Sequence, residues 1–291
     1  MDNQNFQQSY SAQGEAPEYT PVKVDVKTLL DAGAHFGHQT ERWNPKMLPF
    51  IYGARNNTHI INLDLTLKAW ERARKFVCDV VGRGGNILFV GTKNQARDIV
   101  REEAQRCFAF YVTTRWLGGT LSNFQTIKNS IERMKKLEEL LAQAEEADSK
   151  IKLVKKEKLN ISRQLGKLEQ SLGGIRFMKR PPDVIFIIDI VKEAIAVAEA
   201  RRLHIPVVAL VDTNADPGLI EFPIPSNDDA AKTLRLFTAA IADAVLEGRA
   251  EFESRLPAEG EKEESATGNG TAHANGGSAG AVAAGNGFGP N

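Results

Sequence analysis

Asp183-Val184-Ile185-Phe186-Ile187-Ile188-Asp189 decides the fold class: five apolar residues in a row, closed at each end by an aspartate. Four of the five are β-branched and the fifth is aromatic, the residue types that favour strands. A strand with one wet face alternates apolar and polar residues. An unbroken apolar run belongs to a strand buried on both faces, as in a parallel sheet covered by helices. Runs of the same kind occur at 59–63, 86–91, 109–113 and 206–212, with a weaker one near 222–224. Segments with helical apolar spacing lie among them, at 25–32, 65–81, 94–107, 191–203 and 228–247. Strands alternating with helices predict an open, doubly wound parallel α/β sheet.

One insertion interrupts the alternation. Phe124, Ile127, Ile131, Met134, Leu137 and Leu141 recur every three or four residues, and Val154, Ile161, Leu165, Leu168 and Leu172 continue the helical spacing. The polar run at 145–150 separates the two sets, so residues from about 120 to 175 are expected to form an antiparallel coiled-coil hairpin. Thr120 or Ser122 is the expected cap of its first helix, and Gly173-Gly174 the end of its second. Outside this body, residues 1–21 are Gln-, Ser- and Asn-rich, and residues 256–291 turn Glu-rich and then Gly/Ala/Asn-rich. Both read as disordered, because they offer little apolar surface to offset chain entropy. The folded body is therefore expected over 22–255.

The chain of 291 residues has zero formal net charge, which conceals a segregation. Without the two terminal segments, residues 22–255 hold thirty-six bases and thirty acids, and residues 120–180 hold fourteen bases and eight acids. The basic excess of the body thus equals that of the insertion, which is the relevant quantity for a polyanionic partner. Cys78 and Cys107 lie in helical segments and read as small buried hydrophobes of a reducing compartment. The N-terminal residues have neither an apolar h-region nor Arg-rich character, and no stretch is long enough to span a bilayer. A cytoplasmic protein is expected.

The loop Arg42-Trp43-Asn44-Pro45-Lys46-Met47-Leu48-Pro49-Phe50-Ile51-Tyr52-Gly53-Ala54-Arg55 interleaves cations, aromatics and backbone-stiffening prolines. Its cations suit phosphates, whereas Trp43, Tyr52 and Trp116 read as core or loop-wedging aromatics rather than base platforms. Enzyme chemistry finds less support. Gly91-Thr92-Lys93-Asn94 follows a strand and could hold a phosphate, yet neither GxGxxG nor GxxxxGK[ST] occurs. Asp189 and Asp212 end strands, where helix caps and Asx turns are the common use of aspartate. His35 and His38 flank Phe36-Gly37, but no further ligand stands nearby at metal-site spacing. No catalytic group, cofactor or metal is expected.

Seven segments then carry a resemblance. They are residues 30–40 (LDAGAHFGHQT), the loop 43–56, Ile87-Leu88-Phe89-Val90-Gly91-Thr92-Lys93, residues 115–121 (RWLGGTL), Ser171-Leu172-Gly173-Gly174-Ile175, residues 211–217 (VDTNADP) and residues 224–230 (IPSNDDA). In this order, over roughly 22–250, the chain resembles the bacterial form of small-subunit ribosomal protein S2. The resemblance implies a flavodoxin-like α/β body with a coiled-coil insertion, and a structural, non-enzymatic place in the 30S subunit during translation. It also implies contacts with 16S rRNA and neighbouring ribosomal proteins, and help in seating the mRNA-capturing protein S1. A membrane partner and a homo-oligomer are not expected. Late joining, between head and body on the solvent side, is implied as well.

The residues that touch RNA must be argued physically. RNA is recognised largely through shape, phosphate and 2′-hydroxyl contacts, which calls for dispersed cations on a rigid scaffold. Arg42, Lys46, Arg55, Lys93, Arg97, Arg115, Lys128, Arg176, Lys179 and Arg180 are the candidates, because each lies in or near a loop or a helix start. Arg176, Lys179 and Arg180, at the base of the insertion, read as one phosphate-contacting patch. Gly118 and Gly119 read as tight-loop formers. The competing classes are a nucleotide- or cofactor-binding enzyme on the same fold and a protein-binding adaptor built on the coiled coil.

Overall fold

A computed structural model describes residues 21–145 and 154–267; residues 1–20, residues 146–153, on which most of the expected polar run falls, and residues 268–291 lie outside the described residues. Five strands form one parallel sheet: β4 (Ile87–Val90), β5 (Phe110–Val112), β6 (Val184–Ile187), β7 (Val207–Val211) and β8 (Phe222–Pro225). Their spatial order is β5-β4-β6-β7-β8. Counted along the chain this is 2-1-3-4-5, the flavodoxin-like order, whose topological switch point lies between β4 and β6.

Period-two alternation sorts the strand side chains onto two faces. Phe89, Phe186, Val208 and Leu210 face a core completed by Trp70, Val77 and Phe237. Leu88, Val90, Ile185, Ile187, Ala209 and Val211 face a second core, with Trp116, Ile127 and Val197. Every residue of β4, β6 and β7 is buried, as the unbroken apolar runs require. Full burial of one such side chain contributes about 1.5–3 kcal/mol, so the run Val184–Ile187 anchors both layers at once.

The helices are α1 (Val26–Ala32), α2 (Leu63–Val81), α3 (Arg97–Arg106), α4 (Phe124–Glu145), α5 (Lys155–Leu172), α6 (Ala194–Arg202) and α7 (Ala231–Thr267). Asp25 caps α1 through a reciprocal bond pair with Thr28, and Gly33 ends it with φ +78°. Helix α7 continues past residue 256, where the tail was expected to begin. Residues through Phe252 form one compact unit and those from Glu253 a second, in which the described residues continue that helix.

The run at 59–63 departs from expectation. Its strand, β3 (Thr58–Ile61), belongs to a separate antiparallel sheet with β1 (Phe36–Gln39) and β2 (Ile51–Arg55), in the order β1-β3-β2. The strand stops early because the Asn62 side chain accepts from the Asp64 amide and starts α2 at Leu63. Asn56 and Asn57, both at positive φ, close the β2–β3 hairpin. The Thr213 carbonyl accepts from the Asn44 amide at 2.7 Å, holding the small sheet against the carboxyl end of β7.

In the insertion, α4 and α5 lie against each other and run in opposite directions. Lys158, early in α5, donates to the Ala144 carbonyl late in α4 at 2.9 Å, and Arg133 reaches Gln164 at 3.3 Å. Ile127, Ile131 and Met134 are buried. Neither expected cap forms: Thr120 donates to the Leu117 carbonyl, and Ser122 turns to Glu199. Gly174 explains the glycine pair after α5, since a Cβ there would collide with the Tyr111 carbonyl oxygen.

Candidate nucleic-acid interface and a closed crevice

In a flavodoxin-like sheet the ligand crevice opens beyond the carboxyl ends of the strands at the switch point. Here Thr92 and Lys93 follow β4, Asp189 and Glu193 follow β6, and Asp212 follows β7. They bond to one another. Lys93 Nζ lies 3.0 Å from Asp189, 2.7 Å from Asp228 and 2.8 Å from Asp229, and also donates to the Asp228 carbonyl at 3.2 Å. The buried Glu193 carboxylate accepts from the Thr92 amide at 3.1 Å and from its hydroxyl. Asp189 accepts from the Val191 and Lys192 amides, the turn-capping role expected of it.

The electrostatics follow from this packing. Burial by itself would depress the Lys93 ammonium, but Asp228, Asp229 and Asp189 outweigh it and raise its pKa. Burial pushes the Asp228 carboxyl up, and the carboxylates of Asp189 and Asp212 add to this, to about 7, against the pull of Lys93. Lys93, an expected RNA phosphate contact, is instead found turned toward carboxylates of the body. Its side chain is only 12 % exposed, and three carboxylates hold its charge.

Beside this cluster, His38 Nδ1 stands 3.0 Å from Asp212 Oδ2 without the alignment of a hydrogen bond. Contact with Asp212 raises the imidazole pKa against burial, with Asp228 and Asp229 adding to it. Donor atoms of His38, Asp212 and Asp228 all fall within 4.8 Å of one another, a grouping with the chemistry to hold a divalent cation. No spacing rule could have found it, because 174 residues separate His38 from Asp212.

A second buried carboxylate organises the loop at 115–122. Glu199, on α6, accepts from Trp116 Nε1 at 3.2 Å and from the amides of Gly119, Leu121 and Ser122 at 2.7, 2.9 and 3.0 Å. The Ser122 hydroxyl adds a fifth bond at 3.2 Å. Gly119 takes φ +91°, a conformation glycine adopts freely, so that its amide can aim inward. Burial would raise this carboxyl, but the Ser122, Gly119 and Leu121 amides and the Trp116 indole hold it below the ordinary value. The signal available in sequence was a lone acid inside the apolar stripe Ala196-Val197-Ala198-Glu199-Ala200.

The remaining candidate cations divide into two groups. Lys46 pairs with Asp216 at 2.5 Å, Arg180 with Asp183 at 2.9 Å, and Arg176 forks onto Glu138 with one contact at 2.8 Å. Arg97 donates to the Thr92 carbonyl at 3.2 Å, and Lys179 also has an internal partner. The patch at the hairpin base is therefore largely neutralised from within. Arg42, Arg55, Arg115 and Lys128 are exposed and meet no acid among the described residues. Arg55 sits at the β2–β3 hairpin, Arg115 opens the Glu199-held loop, and Lys128 follows at the start of α4. Trp116 is buried as expected and Trp43 packs on His59 at 5.3 Å between ring centroids. Tyr52 differs: at 80 % exposure it wedges nothing, and Leu48, four residues before it, is 63 % exposed.

Among the described residues no helix is long and apolar enough to cross a membrane. A doubly wound body whose crevice is filled by its own ion pairs, and whose surface carries unneutralised cations, fits a scaffold that meets a polyanion. Comparison with known proteins agrees. Residues 29–248 match the family described as Ribosomal protein S2. The chain is 52 % identical over 236 residues to the small ribosomal subunit protein uS2 of Sorangium cellulosum, covering 81 % of this chain and 84 % of that protein. It is 54 % identical over 231 residues to the protein of the same name from Mesorhizobium japonicum, covering 79 % and 87 %. The chain belongs to the ribosomal protein S2 family, a family of structural, non-enzymatic ribosome components.

Proposed function

We propose that this protein is a structural constituent of the cytoplasmic small ribosomal subunit in translation, where it holds 16S rRNA and neighbouring proteins, S1 among them. The carrying observation is the contrast between a crevice closed by Lys93, Asp189 and Asp228 and the unneutralised Arg42, Arg55, Arg115 and Lys128 exposed on the body's surface. These four cations engage phosphates along the folded rRNA, and Lys46, Arg97, Arg176, Lys179 and Arg180 add to the local positive potential. The helix pair α4–α5 serves as a coiled-coil arm. The exposed Leu48 and Tyr52 offer the aromatic and aliphatic surface that suits a protein neighbour such as S1.

Replacing Arg42, Arg55, Arg115 and Lys128 together by glutamine should leave the urea midpoint unchanged within experimental error. The same substitutions should lower association with small subunits about a hundredfold near physiological salt. Sucrose-gradient sedimentation at low and high salt measures it. Co-migration of the quadruple variant with small subunits at wild-type occupancy, at every salt concentration, would remove these residues from the interface.

A further inference from the structure

An open groove of about 670 Å³ lies at the amino end of β7, lined by Ala198, Arg201, Arg202, His204, Pro206 and Glu221. It is at the opposite end of the sheet from the closed crevice, because α6 runs back from the carboxyl end of β6 to reach it. Arg201 and Arg202 form the last turn of α6, where the helix carbonyls favour cations. That accounts for their place in the helix but not for their neutrality balance: both are exposed and pair with no acid among the described residues. The acid in the groove, Glu221, has its carboxylate engaged by the Val207 amide at 3.0 Å.

Two further observations point outward. His204 follows the helix end in the left-handed region at φ +55°, a position where glycine is the unstrained choice. A side chain is present there at the expense of the backbone, and it lines the groove. The second observation is a charge linking the groove to the loop proposed to meet RNA. Asp216, which Lys46 contacts at 2.5 Å, is also within electrostatic reach of Arg201, so one carboxylate stands between two cations. A shallow, open, cationic channel of this kind suits a linear polyanion better than an enclosed small molecule.

We propose that the groove of Arg201, Arg202 and His204 seats the sugar–phosphate backbone of an RNA strand, extending the surface of Arg42 and Lys46 down the side of the body. This rests on the rRNA-binding reading above. The arginines supply bidentate donors to phosphate oxygens, and the imidazole supplies a donor or acceptor for a 2′-hydroxyl.

The test uses the full chain and small subunits washed free of it, with association measured from about 50 to 300 mM salt. Arg201→Ala with Arg202→Ala should weaken association roughly tenfold and flatten the slope of log K against log salt by about 1.5, two phosphates' worth. His204→Gly should raise Tm by about 2 °C while weakening association, a combination that a structural role for the histidine would not give. Wild-type affinity and slope in the double arginine variant would overturn the groove and leave the ribosomal reading intact. Loss of affinity with an unchanged slope would overturn the RNA assignment in favour of a protein neighbour. Failure of the wild-type chain to bind the washed subunits would overturn the reading on which the proposal rests.

Discussion

Replacing Lys93 by methionine is expected to lower folding stability by about 3–5 kcal/mol, the range for removing one partner of a buried ion pair. The methylene stem would still pack, so the loss reports the charge. Without it, Asp189, Asp228 and Asp229 face one another around the position that Nζ occupies at 3.0, 2.7 and 2.8 Å, with Asp212 close behind. Adding Asp228→Asn should return a substantial part of the stability, because it removes the most buried of the three carboxylates around Nζ. Urea unfolding followed by tryptophan fluorescence measures both variants. A loss below about 1 kcal/mol, coupled to weaker ribosome association, would restore Lys93 to the list of phosphate contacts.

Glu199→Ala is expected to cost a similar amount, about 3–5 kcal/mol, by a different route. It strands the amides of Gly119, Leu121 and Ser122 and the Trp116 indole around a buried or part-buried site. Each orphaned donor costs about 1–3 kcal/mol, and neighbours that relax together add to less than their sum. Glu199→Gln should be milder, since it keeps one acceptor oxygen but turns an amide group toward other donors. The sign of the pH dependence follows from the depressed carboxyl of Glu199. Its contribution is present above the ordinary glutamate pKa and is lost as pH falls through the lower folded value, so wild type and Glu199→Ala should converge in acid. Hydrogen exchange at Gly119, Leu121 and Ser122 should accelerate in the alanine variant. Unchanged protection of those amides would sink the idea that Glu199 sets this loop and the start of α4.

Much of the fold was legible because burial writes itself into sequence. The unbroken runs that became β4, β6 and β7 could be read as strands of a parallel sheet without any partner in view. The run at 59–63, with Ile60, Ile61 and Leu63, reads with them, yet it joins an antiparallel hairpin, because Asn62 stops the strand and two asparagines turn the chain. Apolar content reports burial and not which sheet supplies it. The candidate cations were found by location, next to loops and helix starts, and that criterion says nothing of nearby acids. Glu138, Asp183 and Asp216 stand 38, 3 and 170 residues from the cations that they neutralise, so most of this pairing is invisible along the chain.

The sequence by itself determined the parallel α/β body, the position of its helical insertion and, through seven motifs in order, the family. Each rests on local periodicity or on short contiguous patterns. Tertiary structure alone decided which cations stay unneutralised among the described residues. An ammonium and a carboxylate interact through the space between them, and the fold brings Lys93 to Asp228 across 135 residues of chain while leaving Arg42, Arg55 and Arg115 unneutralised. It also placed His38, Asp212 and Asp228 together and sealed Glu199 beneath its loop, since the backbone crossing that creates such neighbours has no local trace.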